Sequence, residues 1–523
     1  MTKPVDKFAA EQEGYKQTLG RRHVQMIAIG GAIGTGLFLG SATRLNSTGP
    51  ALLFSYAFVG VIAFFLMRAL GEMVLYRQSS GAFVSYAREF FGEGAAFAAG
   101  WLYWIFWALT GVAELSAVAK YTKKWIDAPN WVTVIIALAI VLVINLLSAR
   151  AFGEFEFWAS ILKVGAIVMF LVVGLVLVIG QVTIKGKEAD PALGIPAQPE
   201  HQAGFSNLWS NPGGFWPHSE TFGWLAPIVV MSGVVFAYAA IEMVGIAAGE
   251  MQNPQREVPK AVNSVILRIA VFYCGSIFLL VCILPTSQYG VTDNQGNYSS
   301  PFVTVFERLG IGWMADLINA VLIIAAMSSL NAGLYTTGRM LRSLAASREA
   351  PKMFMNMSKS GVPATGILVT SLFYVAGAVL NALVPGKAFD IALEASAIAV
   401  VGVWSMIFIC HIRYRKLSDA GLVPSSSFRA PWAPFMSYVG LAFLFFVIVG
   451  MAYSGWKSAD AFWDKTNFIV VLIGVPVFVA VLSLSWLIIR PRVSDHLGGD
   501  MAAKWSLKDA VVNKVTHAND KQD

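Results

Sequence analysis

Charged residues are scarce in this chain of 523 residues: Asp, Glu, Lys and Arg together make up 13% of it, against roughly 25% in soluble domains. Hydrophobic residues account for 56%, and so much apolar surface cannot be hidden inside soluble cores. The mean hydropathy of +0.63 is spread along most of the chain. A soluble enzyme with one anchor, a disordered protein and a coiled coil are therefore excluded, and the composition predicts a polytopic membrane protein.

Cysteine and histidine are also few, and neither shows the spacing of a special site. The three cysteines, Cys274, Cys282 and Cys410, fall inside apolar runs without a C-x-x-C motif, which indicates core packing. The six histidines have no metal-ligand spacing, and no pair of nucleophile and base stands out. We therefore expect no metal, no cofactor and no enzymatic activity.

Long polar segments are absent as well. The polar tails at 1–22 and 491–523 are short, and the longest polar connection is residues 181–223, so we expect no soluble catalytic or sensory domain. The first apolar run lacks an A-x-A exit, which argues against a cleavable signal. The net charge of +7 does not indicate a nucleic-acid partner, because the basic residues lie mainly at the ends of apolar runs. The expected partner is the lipid bilayer, and no obligate protein partner is inferred.

Twelve apolar stretches are long enough to cross a bilayer, which takes about 20 helical residues. These predicted spans 1 to 12 lie near 24–44, 50–76, 96–122, 131–149, 154–180, 224–247, 263–285, 311–338, 363–384, 388–411, 433–454 and 467–489. The membrane domain would cover 23–490. Most of the 38 Lys and Arg residues fall on one side if the N-terminus is inside, so the positive-inside rule predicts that both tails are cytoplasmic.

Span 1 contains four glycines within the seven residues from Gly30 to Gly36. Each costs about 1 kcal/mol of helix propensity, so the helix is expected to break there. Broken backbone at membrane depth requires a cavity or a protein contact. The amides of Ile33, Gly34, Thr35 and Gly36 would then bind a substrate carboxylate at the start of the second half-helix. The alternative is that these glycines serve close helix packing.

Span 6 carries Glu242 at its middle, in the run Phe236 to Glu242. A carboxylic acid there should face protein or water. Irregular features at matching places in two five-span halves, about 24–180 and 224–411, point to an inverted-repeat transporter with its site at the midplane. In combination with span 1, we expect backbone carbonyls near Ile29, Phe236, Ala237 and Ala239 to bind a substrate ammonium group.

At these residues the sequence resembles the amino acid–polyamine–organocation superfamily, and within it the bacterial amino acid transporter family. The motifs that carry the resemblance are Gln25 to Phe38, Gly71-Glu72, Ser80-Gly81, Ala248-Gly249-Glu250 and Asn253 to Pro259. The resemblance implies an all-α fold of twelve helices with a 5+5 inverted repeat, discontinuous helices 1 and 6 and two additional helices. It also implies alternating access and proton-coupled uptake of amino acids in a bacterial inner membrane.

Within that family the sequence motifs most resemble those of the L-asparagine permeases. The similar segments are Glu13-Gly14-Tyr15, Ser300 to Thr304, Ser328 to Tyr335 and Ala239 to Glu242. That subgroup tends to have Asp in span 3, where this chain has Glu114. Asparagine is therefore the lead substrate among small neutral polar amino acids.

Three ionisable residues are candidates for proton coupling: Lys163, Glu114 and Glu242. A buried lysine can alternate between charged and neutral forms, and the resemblance implies that Lys163 lies near span 1 and Ser328 and Ser329 of span 8. The alternative for Lys163 is snorkelling to the inner interface. For Glu114 and Glu242 the alternative is a structural hydrogen bond.

Several aromatic and charged residues have simpler interpretations. Phe236 and Tyr238 are the gate candidates because they lie at the break in span 6. Trp101, Tyr103, Trp104 and Trp107 are interpreted as an interfacial aromatic belt in preference to a cavity lining. Arg68 and Arg268 are expected to snorkel inward, and Glu250 to Pro259 to cap the inner end of helix 6.

The resulting hypothesis is a secondary permease that imports an amino acid with a proton. Two alternatives stay open: an exchanger that trades one amino acid for another, and a receptor that senses amino acids without moving them. Uptake into empty vesicles would argue against the exchanger, because an exchanger needs internal substrate. Flux by the purified protein would exclude the receptor.

Overall fold

The computed structural model describes residues 22, 23, 26, 33–79, 81–192, 194–211, 213–248, 251, 253–292, 298–383, 387–457 and 470–496. Nearly all the regular structure in these residues is helical. The fold is that of an all-α polytopic membrane protein, as predicted.

The helices of the first half follow predicted spans 1 to 5. They are Thr35–Phe38 and Ser41–Thr48 in span 1, Leu52–Tyr76 in span 2, Glu93–Thr122 in span 3, Asn130–Leu147 in span 4 and Ala149–Ile179 in span 5. A shorter helix, Phe83–Phe91, connects spans 2 and 3. The 3-10 turn Gly49–Ala51 leads from span 1 into span 2.

The second half is more irregular. Span 6 consists of Ala226–Val229, Met231–Tyr238 and Met243–Ala247, and span 7 of Pro254–Arg268, the π-helical Ile269–Cys274 and Gly275–Ile283. Spans 8, 9 and 10 are Gly312–Ala346, Ala364–Leu383 and Lys387–Asp419, span 11 is Phe435–Lys457, and span 12 is the π turn Val470–Gly474 followed by Val475–His496.

The connections at the predicted outer face carry small elements. Strands Thr183–Ile184 and His201–Gln202 pair antiparallel, with Thr183 opposite Gln202. Short helices Asn207–Ser210 and Pro301–Arg308 follow. Arg308 fastens this region, because its guanidinium donates to the carbonyls of Lys185 at 2.6 Å and Pro199 at 2.7 Å.

Ten helical segments in the described residues are long and apolar enough to cross a membrane. Thr35–Tyr76 counts as one of them, although predicted spans 1 and 2 divide it, and span 9 contains only a shorter apolar helix, Ala364–Val379. The count of twelve crossings and the boundaries of tails and repeats therefore stay predictions.

The spans differ sharply in how much of their surface other helices cover. In span 6, 89% of the central window is buried, in span 3 78%, and in span 12 none. Spans 4, 5 and 11 expose large aliphatic and aromatic side chains such as Ile136, Val176 and Phe445, which suits contact with lipid. The broken helices thus lie in the protein interior, where irregular backbone is tolerated.

One prediction about the end of span 6 is wrong. The segment up to Pro259 was expected to cap helix 6, but Pro254 begins the helix of span 7, nine residues before its predicted start. Proline is tolerated in the first turn of a helix because it has no amide to leave unpaired. Gly249 and Glu250 lie outside the described residues.

Candidate functional site

The break in span 1 is at Gly34. Its backbone is extended, with φ −123° and ψ −164°, and it precedes the four-residue helix Thr35–Phe38. Ile29, Gly30 and Gly31 lie outside the described residues, so the proposed ammonium contact at Ile29 stays a prediction.

The break in span 6 follows Tyr238. The chain becomes extended at Ala239, with ψ 165°, and Ala240 adopts a positive φ of 71°, a conformation that most residues other than glycine avoid. A helix resumes at Met243. The prediction that spans 1 and 6 are discontinuous is therefore confirmed.

The two broken helices touch each other at Gly36 and Ala237. A Cβ atom built on Gly36 would lie 2.7 Å from the Cα atom of Ala237, a separation that real atoms do not tolerate. Gly36 therefore serves close packing, which was the alternative interpretation of these glycines, and the same contact brings both breaks to one place.

A narrow cavity lies at this crossing. Its lining includes Gly34, Gly36, Glu114, Phe236, Ala239 and Ser329, which come from spans 1, 3, 6 and 8. The free space is about 20 Å³, enough for one water molecule. These side chains must move apart before an amino acid can occupy the cavity.

Glu114 is the acid of this cavity. It is 2% exposed, and its carboxyl group lies next to Gly34, Thr35 and Ser329. Its Oε2 atom and the hydroxyl of Thr35 are buried with no hydrogen-bond partner in the described residues. Unpaired buried polar atoms are uncommon in folded proteins. Here the two groups lie beside each other, and Glu114 lines the cavity.

Lys163 is buried and does not snorkel. It is 1% exposed, and its ammonium donates to the Ser328 hydroxyl at 2.9 Å. That hydroxyl donates to Oε2 of Glu156 at 2.7 Å, and Asn331 donates to the other oxygen at 2.8 Å. Spans 5 and 8 are thus joined by a buried chain that links a cation to an acid.

Sequence reasoning missed Glu156. It lies seven residues before Lys163, which is two helical turns, so both project from the same face of span 5. That spacing was a usable signal in the sequence.

Glu242 lies on the far side of the break in span 6, and donors surround it. The Tyr103 hydroxyl donates to Oε1 and the Trp404 indole to Oε2, both at 3.2 Å. The backbone amides of Ala240 and Glu242 also face the carboxyl group. Glu242 thereby joins spans 3, 6 and 10.

The aromatic residues divide differently from the prediction. Tyr103 and Trp107 are 0% and 1% exposed, and Trp107 lines the central cavity, so the interfacial belt is wrong for both. Trp101 and Trp104 are partly exposed. Spans 8 and 10 pack against span 3 and cover the rings of Tyr103 and Trp107. Composition alone would place such rings at the membrane interface.

The two gate candidates, Phe236 and Tyr238, lie in different surroundings. Phe236 lines the cavity. Tyr238 points to span 2, where its hydroxyl donates to the Tyr56 carbonyl at 3.0 Å, and its ring lies 4.5 Å from that of Tyr273. The position of Phe236 suits a gate better than that of Tyr238, and the gate role of both residues stays a prediction.

The two arginines expected to snorkel behave differently. Arg68 does reach a loop, because its guanidinium donates to the carbonyl of Arg429 and lies 3.8 Å from the Phe428 ring. Arg268 is 3% exposed and lies beside Tyr238 and Tyr273. The prediction for Arg268 is wrong, because its side chain lies inside the protein.

Within the described part of the chain, no group of three or more His, Cys, Asp or Glu residues could hold a metal ion. The titratable residues of the cavity and its surroundings are thus separate acids and one lysine. They can exchange protons, and they can contact a zwitterion.

Comparison with known proteins covers nearly the whole chain. The family described as "Amino acid permease" matches residues 23–497. L-asparagine permease 1 of Mycobacterium bovis is 45% identical over 492 residues, 94% of this chain and 93% of the relative. The L-asparagine permease of Escherichia coli K12 is 45% identical over 93% of this chain and 91% of the relative, and that of Streptomyces coelicolor is 44% identical over 96% of each.

Solved structures of a manganese transporter from Eremococcus coleocola have a similar architecture. One has a TM-score of 0.59 at 15% identity, covering 90% of this chain and 94% of the transporter. Another, in complex with an aromatic bis-isothiourea compound, has a TM-score of 0.57 at 13% identity, covering 94% and 97%. At this identity the likeness shows the fold alone.

Proposed function

The chain belongs to the amino acid permease family, and from this premise we propose that it imports L-asparagine, or a similar small neutral polar amino acid, together with a proton. Transport would proceed by alternating access across a bacterial inner membrane, with both tails in the cytoplasm. The observation that supports this most directly is the meeting of the breaks in spans 1 and 6 at one buried cavity that contains an acid.

The substrate would bind to backbone groups at the two breaks. The amides of Ile33 to Gly36 would hold its carboxylate, and carbonyls of Phe236, Ala237 and Ala239, with Ile29, would hold its ammonium group. The Phe236 carbonyl already accepts the Ala239 amide at 3.0 Å, so it offers its second lone pair. The unpaired Thr35 hydroxyl can hydrogen-bond a polar side chain such as a carboxamide.

Glu114 would carry the proton that makes this site available. Its carboxyl group lies beside Gly34 and Thr35, and an ionised carboxylate there would repel the incoming substrate carboxylate at short range. Protonation removes this repulsion. Proton and substrate would therefore bind together, which is what symport requires.

Lys163 would act with Glu156 as a second proton-responsive group. A proton transferred from the Lys163 ammonium through the Ser328 hydroxyl to the Glu156 carboxylate would neutralise both groups. It would thereby remove the charge pair that Ser328 of span 8 bridges, without contact with the substrate. Glu242 is the third coupling candidate, but its several donors favour the structural alternative, and we assign coupling to Glu114 and Lys163.

The Lys163→Ala variant tests the coupling role. We expect it to fold and to exchange internal for external asparagine, but to lose the dependence of uptake on external pH, because the titratable cation is gone. Lys260→Ala is the matched control, since Lys260 is a half-exposed surface lysine paired with Glu257 at 3.8 Å. Undiminished proton-driven accumulation by Lys163→Ala would reject its assignment.

The substrate proposal is tested with purified full-length protein in liposomes. Uptake of labelled L-asparagine would be measured at two external pH values and in competition with a panel of the common amino acids. Accumulation in empty liposomes that are acidic outside supports symport. Uptake only into liposomes preloaded with amino acid would show an exchanger, and binding without flux would show a sensor.

A further inference from the structure

A second cavity lies next to the central one, toward the predicted outer face. Its walls include Arg44 of span 1, Gly233 of span 6 and Glu394 of span 10. Gly233 precedes the cavity residue Phe236 by three residues, a distance of about 5 Å along the helix. The free space is about 250 Å³, against about 20 Å³ in the central cavity, so only the outer cavity has room for an amino acid.

Arg44 is a buried cation on the wall of this outer cavity. It is 8% exposed, and one guanidinium nitrogen donates to the Gly36 carbonyl at 3.1 Å. The guanidinium lies directly over Gly233, where a Cβ atom would come within 2.2 Å of Nη2. In the described part of the chain, no carboxylate oxygen lies within 4.0 Å of the Arg44 guanidinium nitrogens, the limit for an ion pair.

An arginine in this position has binding capacity left over. A buried charge is costly unless it is paired, and the groups that contact the five donors of Arg44 are both neutral: the Gly36 carbonyl and the Tyr56 hydroxyl. The planar guanidinium presents pairs of N–H groups that match the two oxygens of a carboxylate. The Arg44 guanidinium is therefore suited to bind an anion.

Glu394 gives the cavity its second charge. It reaches the same space from span 10, so a cation and an anion face one enclosure. An α-amino acid carries the complementary pair, a carboxylate and an ammonium group.

We propose that the outer cavity is a first binding site for the zwitterionic amino acid, in which Arg44 binds the carboxylate and Glu394 faces the ammonium group. From there the solute passes about one helical turn inward, along Gly233 and Gly36, to the central cavity. This inference rests on the proposed import of an amino acid, but it adds a site and two residues that import by the central cavity alone does not require.

The test uses the asymmetry between the two faces of the membrane. Exchange of labelled L-asparagine would be measured in right-side-out and in inside-out membrane vesicles carrying the full-length chain. For Arg44→Gln we expect the KM for external substrate to rise about tenfold, as for the loss of a charge-assisted contact, with the KM from the cytoplasmic face unchanged. Arg44→Lys should be intermediate, because it keeps the charge but not the fork.

Lys187→Gln is the control for general attraction, since Lys187 is an exposed cation of the same outer face. It should leave both KM values unchanged. Equal losses at both faces for Arg44→Gln would overturn the proposal, because they would mean that Arg44 only holds the Gly36 carbonyl. An unchanged external KM would overturn it too.

Glu394→Gln keeps the test decisive if Arg44→Gln does not fold. It should raise the external KM for asparagine while leaving the cytoplasmic KM unchanged, and an unaltered external KM would count against the site. If the wild-type chain moves another amino acid instead of asparagine, the substrate proposal fails, and the same measurements on that amino acid still decide the outer site.

Discussion

Glu114 and Glu242 are two buried acids on opposite sides of the breaks in spans 1 and 6, and their surroundings differ. Glu242 has a donor at each oxygen, from Tyr103 and Trp404, whereas Glu114 keeps one buried oxygen unpaired. A saturated carboxylate holds helices together and has little reason to change its proton. An unsaturated one, next to a cavity, is able to exchange it. The contrast supports the proposal that Glu242 holds helices together and that Glu114 exchanges a proton.

The largest expected effect tests the crossing on which both acids depend. Gly36→Ala should abolish transport, because the new methyl group would overlap the Cα atom of Ala237, and span 6 would have to shift. Overpacking of this kind costs about 1–3 kcal/mol. The measurement is asparagine uptake together with thermal unfolding in detergent.

Two other glycines make this prediction specific. At Gly34 a Cβ atom would meet Oε1 of Glu114 at 3.4 Å, an ordinary contact, and at Gly165 in span 5 it would meet nothing within 4 Å. Gly34→Ala should therefore reduce uptake only in part, and Gly165→Ala should keep it. Loss of transport in all three variants would show that the crossing has no special role.

The next effect separates the two acids by coupling. Glu114→Gln resembles the protonated acid, so it should keep exchange of asparagine but lose accumulation against a gradient, by roughly 5–150-fold for typical coupling energies. Glu242→Gln should keep proton-dependent accumulation. Loss of exchange in Glu114→Gln would instead indicate that the carboxylate contacts the substrate ammonium group.

A smaller effect is expected in stability. Glu242→Ala leaves the Tyr103 hydroxyl and the Trp404 indole buried without an acceptor, each at about 1–3 kcal/mol. Glu242→Gln keeps one acceptor and should lose less. Thermal unfolding of the purified variants measures this order, and an equally stable Glu242→Ala variant would remove the fastening role.

A third buried acid, Glu349, extends the contrast to the segment between spans 8 and 9, which is predicted to lie on the cytoplasmic side. Arg88 donates to it at 2.7 Å and to Glu93 at 2.6 Å, so two acids share one guanidinium. Burial raises the pKa of Glu349 well above its usual value, with Arg88 opposing and Glu93 adding to the rise. The folded protein therefore binds this proton more tightly than the unfolded chain does.

The smallest expected effect follows from that pKa. The contribution of Glu349 to stability is full below its unfolded pKa of about 4.3 and is lost as the pH rises through its raised folded value. Glu349→Gln should flatten this part of the pH dependence of thermal unfolding. The control is Glu188→Gln, at an exposed residue of the hairpin on the predicted outer face, which should leave the profile as it is. An unchanged slope in Glu349→Gln would contradict the prediction.

Much of the site could be predicted because the signals were local. Glycine clustering gave the break in span 1, and an acid in an apolar run gave Glu114. Partners could not be predicted in the same way. Lys163 meets Ser328 from another span, and Arg44 lies over Gly233, because these contacts join residues far apart in the chain. Tyr103 and Trp107 were wrongly predicted to lie at the membrane interface. Spans 8 and 10 bury them, and the residues next to them in sequence do not indicate this burial.

The sequence by itself determined the class of the molecule, since a bilayer admits only segments that satisfy their own backbone, and apolar length with a glycine-rich interruption is written directly in the order of residues. Tertiary structure decided which buried charges are saturated and which are available. That depends on donors brought from other helices, and hydrogen bonding acts over about 3 Å, a distance that no spacing along the chain can specify.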